Sequence, residues 1–138
     1  MDIRTFNKVA PAVIKAGFPL MVRGPHGVGK SEVIKAFANH MSWDGNRVIW
    51  SDEPVANPYP IIDRRAAQMQ EGDMIGLPFL DREKDVTRFK CLDWFKSACE
   101  EPTLLFFDEV DRATNEVRMA IFELLDSRKL NGHELHPG

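Results

Sequence analysis

Cysteine is scarce in this chain: two thiols, Cys91 and Cys99, in 138 residues. They lie eight positions apart on one expected helix, about 12 Å along its axis, which is too far for a disulfide. A zinc site built from them with His133 and His136 would match no common ligand spacing. Long apolar runs are also missing, and no stretch approaches the ~20 residues a membrane-spanning helix needs. Met1-Asp2-Ile3-Arg4 opens an amphipathic pattern without a secretory apolar core, so a cytoplasmic chain with no membrane partner is expected. A strong excess of one charge sign is missing too. Eighteen Lys and Arg against 21 Asp and Glu leave a net charge of −3, which argues against a broad nucleic-acid-binding face. Arg64-Arg65 is a small basic spot that a solvated helix face explains. There is no internal repeat and no low-complexity tract.

What the chain does have is Gly24-Pro25-His26-Gly27-Val28-Gly29-Lys30-Ser31, a complete G-x-x-x-x-G-K-[ST] phosphate-binding loop. Before it, Phe18–Arg23 has the character of a short apolar strand. After it, apolar residues at 33, 34, 37, 38 and 41 follow helical spacing. Glycines 24, 27 and 29 permit backbone conformations that a β-carbon would block. Successive N–H groups can then wrap an anion at the positive end of the following helix. Lys30 is expected to reach the β- and γ-phosphates of ATP, and Ser31 to ligate Mg2+. His26 occupies a position the motif leaves open and is read as a variable residue rather than a base.

A second motif begins at Thr103-Leu104-Leu105-Phe106-Phe107, an unbroken apolar run that suits a parallel strand covered on both faces. It ends in Asp108-Glu109, at the end of the strand where open α/β sheets place ligands. Asp108 is expected to hold the metal and Glu109 to orient and deprotonate the attacking water. The competing reading is that one acid caps the next helix, but Asp111 or Thr114 is better placed for that task.

Taken together these strings resemble an AAA+ ATPase, and within that group the MoxR-like and dynein-related branch. The resemblance rests on Gly24-Pro25-x-Gly27-x-Gly29-Lys30-Ser31, on Gly72-Asp73-Met74-Ile75-Gly76-Leu77-Pro78, and on Phe107-Asp108-Glu109-Val110-Asp111-Arg112-Ala113. It continues through Asn115-Glu116-Val117-Arg118 and Ile121–Asp126. It implies a P-loop NTPase-type α/β fold, a doubly wound parallel sheet with flanking helices. It also implies ATP at a subunit interface in a ring of six, and remodelling or maturation of a client protein, often beside a von Willebrand factor A-type partner. Residues 73–79 correspond to a loop that can face the central pore in related rings. Such ATPases carry a further strand with a sensor residue after the position of Asp126, then an arginine finger and a helical lid. The chain stops at Gly138 before these. The expectation is therefore a partial nucleotide-binding domain over 1–138, incomplete at its C-terminus, that hydrolyses ATP in a complete assembly.

The remaining segments are read from periodicity. Ile3, Phe6, Val9, Ala10, Val13 and Ile14 trace one face of a helix capped by Asp2 and stopped by Gly17, packing beside the first strand. Gly45-Asn46 turns the chain into a strand at 47–51, and 52–60 is a loop. A short helix is expected over 61–70, an irregular excursion over 72–85, and a helix from Cys91 to Cys99 anchored in the core by Trp94-Phe95. Asn115 to Arg128 is an amphipathic helix with Val117, Ala120, Ile121, Leu124 and Leu125 inward. Asn131-Gly132 is a hairpin turn. Arg112 could act across a subunit interface; Arg118 is read as a surface residue.

Two other functions fit parts of the pattern. A module that binds nucleotide or partners without turnover would keep the loop and dispense with Glu109 chemistry. A nucleic-acid motor would need a basic stripe that the sequence does not show.

Overall fold

A computed structural model describes residues 2–24 and 29–138. They fall into two compact units. The first runs to Ile61 and takes in Pro102–Leu104 and Pro137–Gly138; the second comprises Ile62–Glu101 and Leu105–His136. Among the described residues no helix is long and apolar enough to cross a membrane.

The first unit opens with α1 (Ile3–Lys15), which continues through Pro11. The Asp2 carboxylate accepts the Thr5 N–H at 2.7 Å, satisfying a donor that the first turn leaves without a partner. Gly17, at φ +77°, ends the helix region. Phe6 and Ala10 are buried, while Ile3 and Val9 at the margins of the apolar face stay exposed. α2 (Lys30–Ala38) buries Ile34, Phe37 and Ala38. It stops short of Met41, which begins β1 (Met41–Trp43) instead of closing the helix. β1 pairs antiparallel with β2 (Val48–Trp50). The hairpin between them is held by Asp44, whose carboxylate accepts the N–H groups of Asn46 and Arg47 at 2.9 and 2.8 Å. Phe37 meets Phe6 edge-on at 5.5 Å and Trp50 at 4.6 Å, and His40 stacks on Trp50 at 5.2 Å. The 52–60 loop is laced to the end of α2. Val55 N–H reaches Asn39 O at 2.9 Å and Tyr59 N–H reaches Ala38 O at 3.3 Å, using carbonyls the helix end cannot satisfy itself.

The strand expected at Phe18–Arg23 is not formed, so α1 packs on β2 rather than beside it. A strand exists through its ladder, and no strand among the described residues pairs with 18–24.

In the second unit β3 (Ile61–Arg65) pairs with β6 (Leu104–Asp108) as the parallel element of the fold. The helix expected over 61–70 is thus a strand followed by a 3-10 turn at Ala66–Gln68. The β-branched pair Ile61-Ile62 suits a pleated ladder, and tertiary pairing overrides the helical reading. The irregular excursion expected over 72–85 is also corrected. It contains α3 (Glu71–Ile75) and a regular hairpin of β4 (Leu77–Asp81) with β5 (Val86–Lys90). Asp81 organises the hairpin turn. Its Oδ1 accepts Glu83 and Lys84 N–H groups, and its Oδ2 meets Arg88 Nε at 3.0 Å. Polar turn residues had masked the strands around them.

α4 (Asp93–Glu100) begins after Cys91, and α5 (Asn115–Ser127) is capped by Thr114, whose hydroxyl accepts Val117 N–H at 3.3 Å. Val117, Ala120, Ile121 and Leu124 join Phe95, Met74, Met69 and Ala66 in one core. Leu125, expected inward, is 36% exposed. It sits one position past the buried Leu124, where the helix has turned by about 100°. Asn131 and Gly132, at φ +51° and +84°, make the turn between β7 (Lys129–Leu130) and β8 (His133–Glu134), as a two-residue hairpin loop requires.

Candidate active site

Gly24, Gly29, Lys30 and Ser31 are described in the first unit; Pro25, His26, Gly27 and Val28 lie outside the described residues. Gly29 takes φ +74°, ψ +28°, a left-handed conformation that glycine adopts without steric cost. It stands at the N-cap of α2 and, as a glycine, supplies no side-chain cap to that helix. The backbone N–H groups of the first turn carry the positive end of the helix dipole at this point. Lys30 Nζ donates to Gly24 O at 2.9 Å, so the ammonium rests on the first carbonyl of the motif. No sequence signal pointed to that carbonyl, because main-chain acceptors carry none. Ser31 follows in the first helical turn, half-buried. A glycine held left-handed at the start of a helix and an ammonium drawn to the first carbonyl of the motif fit a phosphate chain with its metal.

Asp108 and Glu109 belong to the second unit. β6 ends at Asp108, whose Oδ1 accepts the N–H of Glu109 at 2.8 Å. Glu109 then takes φ +56°, ψ +38° and starts a 3-10 turn over Val110–Arg112. A left-handed conformation costs a residue with a β-carbon about 1–2 kcal/mol. The two carboxylates are thus separated by a backbone turn, not by the alternation of a continuing strand. One carboxylate is fixed on the main chain at the strand end, and the other is carried around the corner. Both residues are half-buried. The acid nearest the helix does not cap it, since Thr114 does. Arg118 donates to Asn115 within its own helix.

A family model described as "ATPase family associated with various cellular activities (AAA)" matches residues 20–132. The chain belongs to the AAA family. Membership carries ATP-binding and ATP-hydrolysing activity as the family's chemistry, and its matched span includes both motifs of this AAA chain. Searches of curated proteins and of solved structures return no match.

Proposed function

We propose that this AAA chain binds ATP with magnesium and, in a ring of like subunits, hydrolyses it to remodel or mature partner proteins in the cytoplasm. Lys30 binds the terminal phosphates, and the main chain of residues 24–31 wraps the anion. Ser31 and Asp108 would hold the metal, which supplies charge neutralisation along the phosphates. Glu109 orients the water and takes its proton. The observation that carries this reading is the Lys30 ammonium held on Gly24 O, beside a helix that starts at a left-handed Gly29. The strings Gly72–Pro78 and Phe107–Ala113 support the finer assignment to a MoxR-like or dynein-related role, with a six-membered ring and a client or von Willebrand factor A-type partner.

Calorimetric titration of the chain with magnesium and ATP tests binding, and phosphate release from the assembly tests turnover. Lys30→Ala should remove saturable heat. Glu109→Gln should keep the heat and lower phosphate release by about 100-fold or more. Wild-type turnover in Glu109→Gln would overturn the base assignment. Binding without release in the wild-type assembly would reduce the chain to a nucleotide-holding module.

A further inference from the structure

Arg64 carries an unpaired charge on a fixed platform. It lies in β3, half-buried, with its guanidinium over the Trp94 ring, 5.3 Å from the centroid. Its Nε is covered from solvent and has no hydrogen-bond partner. Among the described residues no carboxylate forms an ion pair with it. Trp94 is itself held on several sides. Its indole N–H donates to Asp73 O at 3.2 Å, and its ring meets Phe95 and Phe107 edge-on at 5.5 and 6.1 Å. Arg64 lines a pocket of about 480 Å³ together with Asp63, Arg65, Gln68, Met69 and Asp73. That volume lies within the range of ligand clefts.

A covered guanidinium N–H without an acceptor is costly, and an arriving anion relieves the ion's unbalanced charge. The planar fork of arginine matches a carboxylate or a phosphate, and stacking on an aromatic face sets its orientation in advance. The rest of the pocket chooses between them. Asp63 and Asp73 line the same space with Arg64 and Arg65 and cancel their charge, so a dianionic phosphate meets more repulsion from the two carboxylates than a single negative charge does. The Asp73 carboxylate is already engaged by the Gln70 N–H at 2.8 Å and does not turn to Arg64. A singly charged carboxylate meets less of that repulsion, and the Gln68 amide can donate to its other oxygen. We infer that this pocket receives an acidic side chain, Asp or Glu, from a protein partner, with Arg64 as its anchor and Trp94 as the platform. Nothing in this contact draws on the nucleotide.

The test is a titration of the 15N-labelled chain with N-acetylglutamate α-amide, followed at the Arg64 Nε–H and Trp94 indole N–H resonances. A saturable shift with a Kd in the millimolar range is expected, and none with N-acetylglutamine α-amide. Arg64→Lys keeps the charge and loses the fork, and should weaken the Trp94 response about tenfold or more. Arg82→Gln, at an exposed position in the β4–β5 turn outside the pocket, should leave saturation within about twofold. Inorganic phosphate is run in parallel. Tighter binding of phosphate than of the glutamate probe would overturn the carboxylate assignment. An equal response to the glutamine analogue, or a drift shared by all arginines, would overturn the site.

Discussion

Two apolar runs of similar length lead into the two motifs, and they end differently. Leu104–Asp108 is a strand with every residue half-buried. Residues 18–23 form none, and Phe18 and Met21 stand 66% and 56% exposed. Hydrophobicity does not separate them. What separates them is a neighbour. β6 lies beside β3, and just before that pairing Leu104 N–H reaches Pro60 O at 2.9 Å. No described strand lies beside 18–24. An apolar run permits a strand, and the ladder partner decides it. The acidic motif is therefore delivered by a paired strand. At the phosphate-binding motif the described ends, Gly24 and Gly29, are tied by Lys30 on Gly24 O and by the start of α2.

The largest effect expected from breaking this arrangement lies where the second unit's ladder comes closest to another backbone. A β-carbon at Gly76 would sit 2.0 Å from Lys90 O, and Gly76 holds φ +83°. A carbonyl cannot rotate away as a side chain can. Gly76→Ala should cost about 3–5 kcal/mol, read from the urea midpoint. Gly132 has nearly the same φ, +84°, with nothing within 4 Å. Gly132→Ala should cost only about 1 kcal/mol, from the backbone alone. Similar losses at the two glycines would show that φ, not the close approach to β5, sets the penalty.

The next effect sharpens the contrast between the runs. Ile121 is 1% exposed in the core of the second unit, and Ile121→Ala should cost about 2–5 kcal/mol. Met21→Ala, in the run without a ladder, should stay within about 0.5 kcal/mol. Amide exchange should agree, with residues 105–107 protected and residues 20–23 exchanging near the unprotected rate. A Met21→Ala cost equal to that of Ile121→Ala would mean that 18–24 is held by contacts absent from this structure.

Features fixed by local chemistry are legible in the order of the residues. Asp2 and Thr114 as caps, Gly17 at the end of α1, the Asn131-Gly132 turn and the inward face Val117-Ala120-Ile121-Leu124 all follow from side-chain chemistry within a few residues. So do the left-handed Gly29 and the placement of Asp108 at a strand end. Features fixed by partners distant along the chain are not legible that way. Ile61–Arg65 is a strand because β6 lies beside it, some 40 residues on. Leu77–Asp81 and Val86–Lys90 form a hairpin although Pro78, Asp81 and the charged turn disguise them. Arg64 reads as a solvated surface charge, and only the fold sets it on Trp94.

A smaller effect concerns the cap of α5, which follows the acidic motif. Thr114→Ala removes the acceptor for Val117 N–H and should cost about 1 kcal/mol; Thr114→Ser should restore most of it. Thermal midpoints of the two variants check this. A loss in the serine variant equal to that of alanine would assign the effect to the threonine methyl and not to the cap.

The smallest effect is at the start of α1, in the unit that holds the run without a ladder. The Asp2 carboxyl is held below its ordinary value of 3.8, chiefly by the hydrogen bond from Thr5 N–H. A lowered carboxyl in the folded state contributes stability that is fully present above the unfolded pKa and disappears as pH falls through the folded one. The window therefore opens near 3.8 and extends downward. Asp44 is shifted the same way, by the N–H groups of Arg47 and Asn46, and titrates in the same window. Acid sensitivity of the whole chain cannot distinguish them, but a difference can. Asn caps a helix about as well as Asp and does not titrate. Asp2→Asn should match the wild type at pH 7, apart from a small loss of helix-dipole attraction, and should be less sensitive than the wild type between pH 4 and 3. Parallel loss of α1 helicity in both proteins across that interval would show that Asp2 is not the group that responds.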